Sequence, residues 1–205
     1  MNLTPPSSVF VGVSGASGAP YALRVVRALG DAGCELQLCV SDSGILVLRH
    51  ELKLAGEGRE PVTRAFLELA GVAGRASVFA PGDLAAPPAS GSSCPDAVVV
   101  CPCSMSTAAH VALGATRTLI HRVADVALKE RRPLVLVPRE TPLTQIHLRR
   151  LLELAEAGAI VLPAMPGFYS RPETLQDVID HVSGKVLSAL GFDQTLFPPW
   201  DGGRS

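Results

Sequence analysis

Short apolar runs alternate with amphipathic stretches along this chain of 205 residues. The runs fit buried strands, because they are four or five residues long, rich in branched side chains and bounded by turn or polar residues. They are Val9–Val13, Leu36–Val40, Ala97–Val100, Leu134–Val137 and Ala159–Leu162. Strands that alternate with helices predict a parallel sheet that is covered by helices on both faces. The sequence therefore predicts an α/β fold.

The amphipathic stretches carry apolar residues at helical spacing. We expect helices over Pro20–Ala32, over the stripe Ile45, Leu48 and Leu52, and over Thr63–Ala70, Thr107–Leu113, Thr118–Arg131, Leu143–Ala157 and Thr174–Leu190. Gly56–Pro61 and Ala80–Pro95 are predicted loops. The length suits a single domain over residues 9–192, between an N-terminal lead (1–8) and a C-terminal tail (193–205) anchored by Trp200.

The composition narrows the classes of function. Charged residues make up 18% of the chain, against about 25% in typical soluble domains, so apolar surface is left for subunit contacts and we expect a homo-oligomer. A net charge of -1 gives no footprint for nucleic acid, and no apolar run is long enough to insert into a membrane. Residues 1–8 lack the pattern of a secretory signal, so a cytoplasmic location is expected. The cysteine and histidine spacings predict neither disulfides nor a metal site.

Two turns after predicted strands suit a phosphate-bearing ligand. The first is Gly12-Val13-Ser14-Gly15-Ala16-Ser17-Gly18, where small residues let backbone N–H groups approach an anion or a flat ring, although a tight strand-to-helix turn needs glycine in any case. The second places Ser104, Ser106 and Thr107 at a helix start, where they are either ordinary capping residues or a phosphate cradle. The glycine spacing is not that of a dinucleotide site, so a mononucleotide such as FMN fits better.

Charged and hydroxyl side chains supply the remaining candidates. Arg139 and Glu140 follow a strand, where an arginine can hold a phosphate and a carboxylate can accept a proton. Arg122, Asp125 and Lys129 share one helix face, which is also the pattern of a solvated face stabilised by an Asp125–Lys129 pair. Tyr169, Lys185 and Glu51 each have an ordinary structural interpretation as well.

From about Val9 to Trp200, the chain resembles the UbiX-type flavin prenyltransferases, a family associated with ubiquinone biosynthesis. The motifs that carry the resemblance are Gly15-Ala16-Ser17-Gly18, Ala89-Ser90-Gly91-Ser92-Ser93, Cys101-Pro102-Cys103-Ser104, Arg122 with the segment 124–136, Arg139-Glu140-Thr141-Pro142-Leu143 and Pro166-Gly167-Phe168-Tyr169.

The resemblance implies a flavodoxin-like, Rossmann-type three-layer sandwich that assembles as a dodecamer with active sites at subunit contacts. It also implies a reaction in which dimethylallyl phosphate alkylates reduced FMN at N5 and then at C6. FMN is a co-substrate in this reaction, and the prenylated FMN passes to a UbiD-type decarboxylase.

The resemblance further implies roles for individual residues. The expected FMN contacts are Gly15, Ala16, Ser17, Ser41, Ser104, Met105, Ser106, Thr107 and Arg139. The expected contacts to the prenyl phosphate are Arg122, Lys129, Arg139, Tyr169 and Lys185, with Ala89 and Ser90 lining the prenyl pocket. Glu140 and Glu51 would manage protons, so the expected catalytic set is Glu140, Glu51, Lys129 and Ser17. No metal is expected.

One residue departs from the family pattern, and two other classes of protein compete with this interpretation. Lys185 stands where the family commonly has arginine, and a lysine cannot make a bidentate contact, so the choice between dimethylallyl monophosphate and diphosphate stays open.

Flavin-dependent cysteine-type decarboxylases share the architecture but usually carry an early histidine and an Asn-containing motif, which are not evident here. A non-catalytic FMN-binding electron carrier would be acidic, with aromatic rings around the flavin.

Overall fold

A six-stranded sheet runs through the centre of the structure, a computed structural model that describes residues 4–200 and 202. The strands lie in the order β3-β2-β1-β4-β5-β6, and every neighbouring pair is parallel. Their bounds are Ser8–Val13 (β1), Glu35–Val40 (β2), Ala76–Phe79 (β3), Ala97–Cys103 (β4), Leu134–Pro138 (β5) and Ile160–Val161 (β6). The α/β class and the parallel sheet predicted from the sequence are confirmed.

Helices cover both faces of this sheet. Their bounds are Ala19–Asp31 (α1), Asp42–Glu51 (α2), Arg59–Ala70 (α3), Met105–Ala112 (α4), Leu119–Lys129 (α5), Gln145–Glu156 (α6) and Leu175–Ala189 (α7). Side chains alternate across each strand, so Val9 and Val11 pack with α1, α2, α3 and α7, whereas Phe10 packs with α4, α5 and α6. These two cores on either side of one sheet are the predicted three-layer sandwich.

One strand was missed and one local prediction was wrong. The strand β3 was not expected, because this edge strand has no clear apolar alternation and Ser77 and Val78 are exposed. The helix α3 begins at Arg59, inside the predicted loop Gly56–Pro61. Pro61 is compatible with this start because the first turn of a helix needs no N–H donor.

The strand order reverses between β1 and β4, and this reversal fixes the place for a ligand. Chain connections leave β1 in one direction and β4 in the other, which opens a crevice at the carboxyl ends of the strands. The glycine-rich turn follows Val13, the Ser/Thr loop follows Cys103, and Arg139 follows Pro138. In the described ranges, no helix is long and apolar enough to cross a membrane.

Candidate active site

The buried hydroxyl of Ser14 joins the two predicted phosphate-binding turns. It donates a hydrogen bond to the carbonyl oxygen of Pro102 at 2.9 Å and accepts one from the N–H of Ser104 at 2.7 Å. The N–H of Ser14 also donates to the Pro102 oxygen, at 3.2 Å. Sequence reasoning missed this role, although a serine that closes an apolar strand is a usable signal. The bonds hold the starts of α1 and α4 side by side at the crevice.

The start of α4 presents donors that suit a phosphate. The hydroxyl of Ser104 accepts the N–H of Thr107 at 3.2 Å and donates to the Thr107 hydroxyl at 3.0 Å. Met105 and Thr107 are buried, while Ser106 is exposed. The N–H groups of Met105 and Ser106 have no partner within the helix because they lie in its first turn. This end of the helix dipole attracts anions.

The start of α1 already holds an anion, the carboxylate of Glu51. Gly18 and Ala19 donate their N–H groups to Oε2 of Glu51 at 2.9 and 2.8 Å. Burial acts to raise the pKa of Glu51, but hydrogen bonds from Ser17, Gly18 and Ala19 and the charge of Arg139 lower the pKa overall. Glu51 is therefore a carboxylate at neutral pH. Because these N–H groups of α1 already bind Glu51, a phosphate in the crevice would bind to the start of α4 and to neighbouring side chains.

Arg139 reaches across from β5 to the glycine-rich turn. Its Nε donates to the carbonyl oxygen of Ser17 at 2.9 Å. Ser17 and Glu51 also line a depression of about 330 Å³, together with Tyr21 and residues of α7. Glu140 is exposed beside Arg139, where one of its carboxylate oxygens accepts the N–H of Thr141 at 3.1 Å. The structure thus brings Ser17, Glu51 and Arg139 together, with Glu140 next in the chain.

The start of α2 closes the side of the glycine-rich turn. Ser41 caps this helix by accepting the N–H of Gly44 at 3.0 Å, and its hydroxyl lies 3.3 Å from that of Ser43. A Cβ on Gly15 would lie 2.3 Å from the Ser43 hydroxyl oxygen and 2.5 Å from its Cβ, so the turn requires glycine here. Ala16, the next residue, is buried.

A second group of predicted residues forms between α5 and the loop before β4. Arg122 donates from Nε to the carbonyl oxygen of Ala89 at 3.1 Å and pairs with Asp125 at 3.1 Å. Lys129 pairs with Glu130, so the predicted Asp125–Lys129 pair is wrong, because each partner finds an acceptor or donor closer in sequence. Ala89 is buried, while Ser90 is exposed and lies 3.0 Å, oxygen to oxygen, from Ser92.

Lys129 lies at the amino ends of the strands, whereas Arg139 lies at their carboxyl ends. It ends α5, just before β5 begins, and Arg139 comes directly after β5 ends. A strand of five residues spans about 15 Å. The ion pair between Arg132 and Asp96, just before β4, also lies at the amino ends of the strands. Lys129 and Arg139 of one chain therefore lie at opposite ends of β5.

A third group surrounds Tyr169 in the loop after β6. The hydroxyl of Tyr169 lies 3.3 Å from Nε2 of His181. The Trp200 ring stands edge-on to Tyr169, with centroids 5.9 Å apart, and Lys185 lies over the ring of Phe197, with Nζ 5.6 Å from its centroid. Sequence reasoning missed His181 and Phe197, whose spacing on the chain gives no sign that they meet Tyr169.

Other candidate chemistry is sparse in the part of the chain that the structure describes. No group of three or more histidine, cysteine or carboxylate side chains there is placed to hold a metal ion. Burial raises the pKa of Cys39 and of Cys103 to about 12, so both thiols stay protonated.

The fold and the paired helix starts at the strand reversal define the class as an α/β flavoprotein, and residues 2–187 match the family described as Flavoprotein. More narrowly, the chain belongs to the family of the flavin prenyltransferase UbiX. UbiX of Pseudomonas aeruginosa is 46% identical over 200 residues, covering 97% of this chain and 96% of that protein. UbiX of Methanothermobacter thermautotrophicus is 42% identical over 194 residues, covering 95% of each chain.

Solved structures agree with this assignment. The crystal structure of AnUbiX in complex with FMN and dimethylallyl pyrophosphate has a TM-score of 0.85 at 38% identity, covering 96% of this chain and 98% of that one. A dodecameric FMN-dependent UbiX-like decarboxylase from Escherichia coli O157:H7 has a TM-score of 0.83 at 37% identity, covering 95% and 100%. The FMN-dependent cysteine decarboxylase SpaF, at 17% identity and a TM-score of 0.55, shares the fold alone. The family and the fold predicted from the sequence are confirmed.

Proposed function

We propose that this protein is a flavin prenyltransferase that joins the dimethylallyl group of dimethylallyl phosphate to N5 and C6 of reduced FMN. The observation that carries the proposal is the contact of Arg139 with the glycine-rich turn, beside the α4 start and at the strand reversal. It places a cation, helix-start donors and two carboxylates around one crevice. Membership of the UbiX family selects the reaction among those that such a crevice supports.

The crevice residues fit reduced FMN. The amide and hydroxyl groups at the α4 start suit its phosphate, and the small residues of the glycine-rich turn leave room for a flat ring. The residues that would hold FMN are Gly15, Ala16, Ser17, Ser41, Ser104, Met105, Ser106, Thr107 and Arg139. The reduced flavin supplies the nucleophilic N5 and C6 atoms.

The prenyl phosphate would bind where two subunits meet. Lys129 lies at the amino ends of the strands and Arg139 at their carboxyl ends, so a site that uses both needs Lys129 from a neighbouring copy. Arg122, Ala89 and Ser90 lie on the same loop-and-helix group as Lys129, whereas Tyr169 and Lys185 belong to the α7 side. We propose a homo-oligomer with shared sites, and a dodecamer is the state of the E. coli UbiX-like structure.

The cations would drive the bond cleavage. Breaking the allylic C–O bond leaves its electron pair on the phosphate oxygen, and fixed positive groups stabilise that developing charge most in a site that excludes water. Lys129, Arg139 and Lys185 supply the charge, and Tyr169 supplies a hydroxyl donor. Glu140 would accept the proton that leaves N5 or C6 as each new bond forms, and Glu51 would keep the glycine-rich turn in shape.

The product would leave the site, because FMN is consumed here as a substrate. A UbiD-type decarboxylase is the proposed recipient of prenylated FMN. All five cysteines are free thiols, which suits a reducing compartment such as the cytoplasm.

Anaerobic incubation with reduced FMN and dimethylallyl phosphate, followed by mass spectrometry of the released flavin, tests the proposal. We expect a flavin heavier by one dimethylallyl group less the hydrogen it replaces, and unmodified FMN when dimethylallyl phosphate is omitted. Unmodified FMN in the complete reaction would overturn the proposal. Carbon dioxide release from a cysteine-ended peptide would favour the cysteine-type decarboxylase, and one-electron cycling of a tightly bound flavin would favour the electron carrier.

A further inference from the structure

His181 on α7 is a buried histidine with a defined partner at each ring nitrogen. The N–H of Gly167 donates to Nδ1 at 3.2 Å, and Nε2 lies 3.3 Å from the Tyr169 hydroxyl oxygen. The side of the ring that faces Gly167 is tightly fitted, since a Cβ on Gly167 would lie 3.1 Å from Nε2 and 2.9 Å from the Tyr169 ring. The loop and the helix therefore meet through the imidazole itself.

These contacts fix which nitrogen of His181 carries the proton. A nitrogen that accepts an N–H bond has no hydrogen of its own, so the proton of the neutral ring is on Nε2. Nε2 then donates to the Tyr169 oxygen, and the single hydroxyl proton of Tyr169 must point away from His181. That proton is left for an acceptor outside the cluster.

Packing holds the imidazole in this position. The ring of Phe197 lies 4.6 Å from that of His181, centroid to centroid. Gly184 allows this approach, because a Cβ there would lie 2.7 Å from the Phe197 ring. The side chain of Gln194 accepts the N–H groups of Leu196 and Phe197, which fixes the backbone turn that presents the Phe197 ring.

The electrostatic surroundings favour the neutral ring. Burial lowers the pKa of His181, and the positive charge of Lys185, one turn along α7, lowers it further. The imidazole is therefore uncharged at neutral pH, as the bond from Gly167 requires.

We propose that His181 is a positioning residue for the prenyl phosphate, acting through Tyr169. Its Nε2–H bond orients the Tyr169 hydroxyl so that the phenol donates to a phosphate oxygen of the substrate. This inference rests on the proposed function, in which Tyr169 contacts that phosphate. It adds a residue that touches neither substrate.

Two substitutions separate the two bonds of His181. The carboxamide oxygen of His181→Asn can replace Nδ1 as the acceptor for Gly167, but the shorter side chain does not reach Tyr169. The longer His181→Gln can donate an N–H near the position of Nε2. Loss of one hydrogen bond that orients a phosphate donor should raise the KM for dimethylallyl phosphate about tenfold in His181→Asn, with kcat within about twofold. His181→Gln should stay within about threefold of the wild-type KM, and FMN binding should be unchanged in both.

A double-mutant cycle with Tyr169→Phe tests whether the effect passes through the hydroxyl. Once the hydroxyl is absent, His181→Asn should cause no further rise in KM. An equal rise in the presence and absence of the hydroxyl, or no rise in either case, would overturn the inference. If Tyr169→Phe alone leaves KM unchanged, the inference falls while prenyl transfer stands. If the wild-type protein forms no adduct, the proposed function itself is wrong.

A joint neutron and X-ray structure of the wild-type protein gives an answer that does not depend on the folding of any variant. We expect deuterium on Nε2 of His181 and none on Nδ1. Deuterium on Nδ1 would contradict the inference.

Discussion

Glu51 supplies the negative charge at the start of α1, where a phosphate-binding helix would leave its N–H groups to a ligand. Its carboxylate accepts from Gly18 and Ala19 and lies near Arg139. The residue thus links α2 to the glycine-rich turn and fixes the shape of the crevice before any substrate binds. Its proton chemistry is limited to that of an ionised carboxylate at neutral pH.

Replacing Glu51 with glutamine should lower the free energy of unfolding by about 1 to 2 kcal/mol at pH 7, because neutral acceptors cap a helix more weakly than a carboxylate. The folded-state pKa of Glu51 lies below its ordinary value, so its stabilisation is present above that value and is lost as the pH falls. Urea denaturation at pH 7 and at pH 4 measures both effects. Glu57→Gln is the control, since Glu57 is exposed and pairs loosely with Arg49 at 3.6 Å; equal losses in both variants would contradict the role of Glu51.

Replacing Glu140 with glutamine should slow adduct formation, about a hundredfold if the carboxylate is the main proton acceptor. The exposed side chain contacts its own loop at Thr141, so the affinity for FMN should change little. Single-turnover kinetics with reduced FMN, monitored by flavin absorbance, measure the rate, and equilibrium titration measures the affinity. Equal rates in the two proteins would remove Glu140 from the mechanism.

Replacing Lys185 with alanine should weaken the use of dimethylallyl phosphate more than the binding of FMN. The exposed lysine lies over Phe197 on the α7 side of the Tyr169 cluster, where its charge can attract a phosphate. Lys185→Arg keeps the charge and adds a bidentate donor, so it should recover the lost affinity. Steady-state KM values for the mono- and diphosphate measure the effect, and identical values in Lys185→Ala and the wild type would place this lysine outside the site.

At the scale of elements, α4 and α5 pack through two stacked histidines. The rings of His110 and His121 lie 4.6 Å apart and nearly parallel. Burial, followed by the charges of His110 and Arg117, lowers the pKa of His121 to about 4. Nδ1 of His121 has no hydrogen-bond partner among residues 4–200, so the interface requires the neutral ring.

This stack predicts acid sensitivity between about pH 6.5 and pH 4. Because the folded-state pKa of His121 is depressed, its contribution to stability is present above the ordinary value and is lost as the pH falls, by up to about 3 kcal/mol. His121→Phe keeps a ring in the stack without a titrating group, so its stability should vary less with pH across this window. Chemical denaturation as a function of pH measures the difference, with the exposed His50→Gln as control. If the stability of His121→Phe varies with pH as steeply as that of the wild type, or more steeply, His121 is not the source of the acid sensitivity.

The elements differ in how far the sequence determines them. β1, β4 and β5 were predicted because central parallel strands are buried on both faces and read as apolar runs. β3 was not, since pairing with β2 at the sheet edge, and not its own pattern, makes Ala76–Phe79 a strand. The site divides in the same way. Motifs predicted the residues around the crevice, but the links through Ser14 and His181 depend on contacts between segments far apart in the chain.

Several exposed apolar side chains of the whole chain lie on its outer elements. Leu148 and Leu152 on α6 are more than half exposed, as are Phe168 and Leu175 near the Tyr169 cluster. Patches of this kind mark subunit contacts. These exposed side chains fit the proposal that substrate-binding residues from the amino and carboxyl ends of the strands meet between copies of the chain.

Mixing two inactive variants tests most directly whether two copies of the chain share each prenyl phosphate site. Lys129→Ala and Arg139→Ala should each abolish most prenyl transfer when expressed alone. In oligomers assembled from equal amounts of both chains, about a quarter of the sites would combine an intact Lys129 from one copy with an intact Arg139 from another. Prenylated FMN formation, measured by mass spectrometry, should therefore recover to about that fraction of the wild-type rate. Mixed oligomers as inactive as the separate variants would contradict a site shared between two copies of the chain.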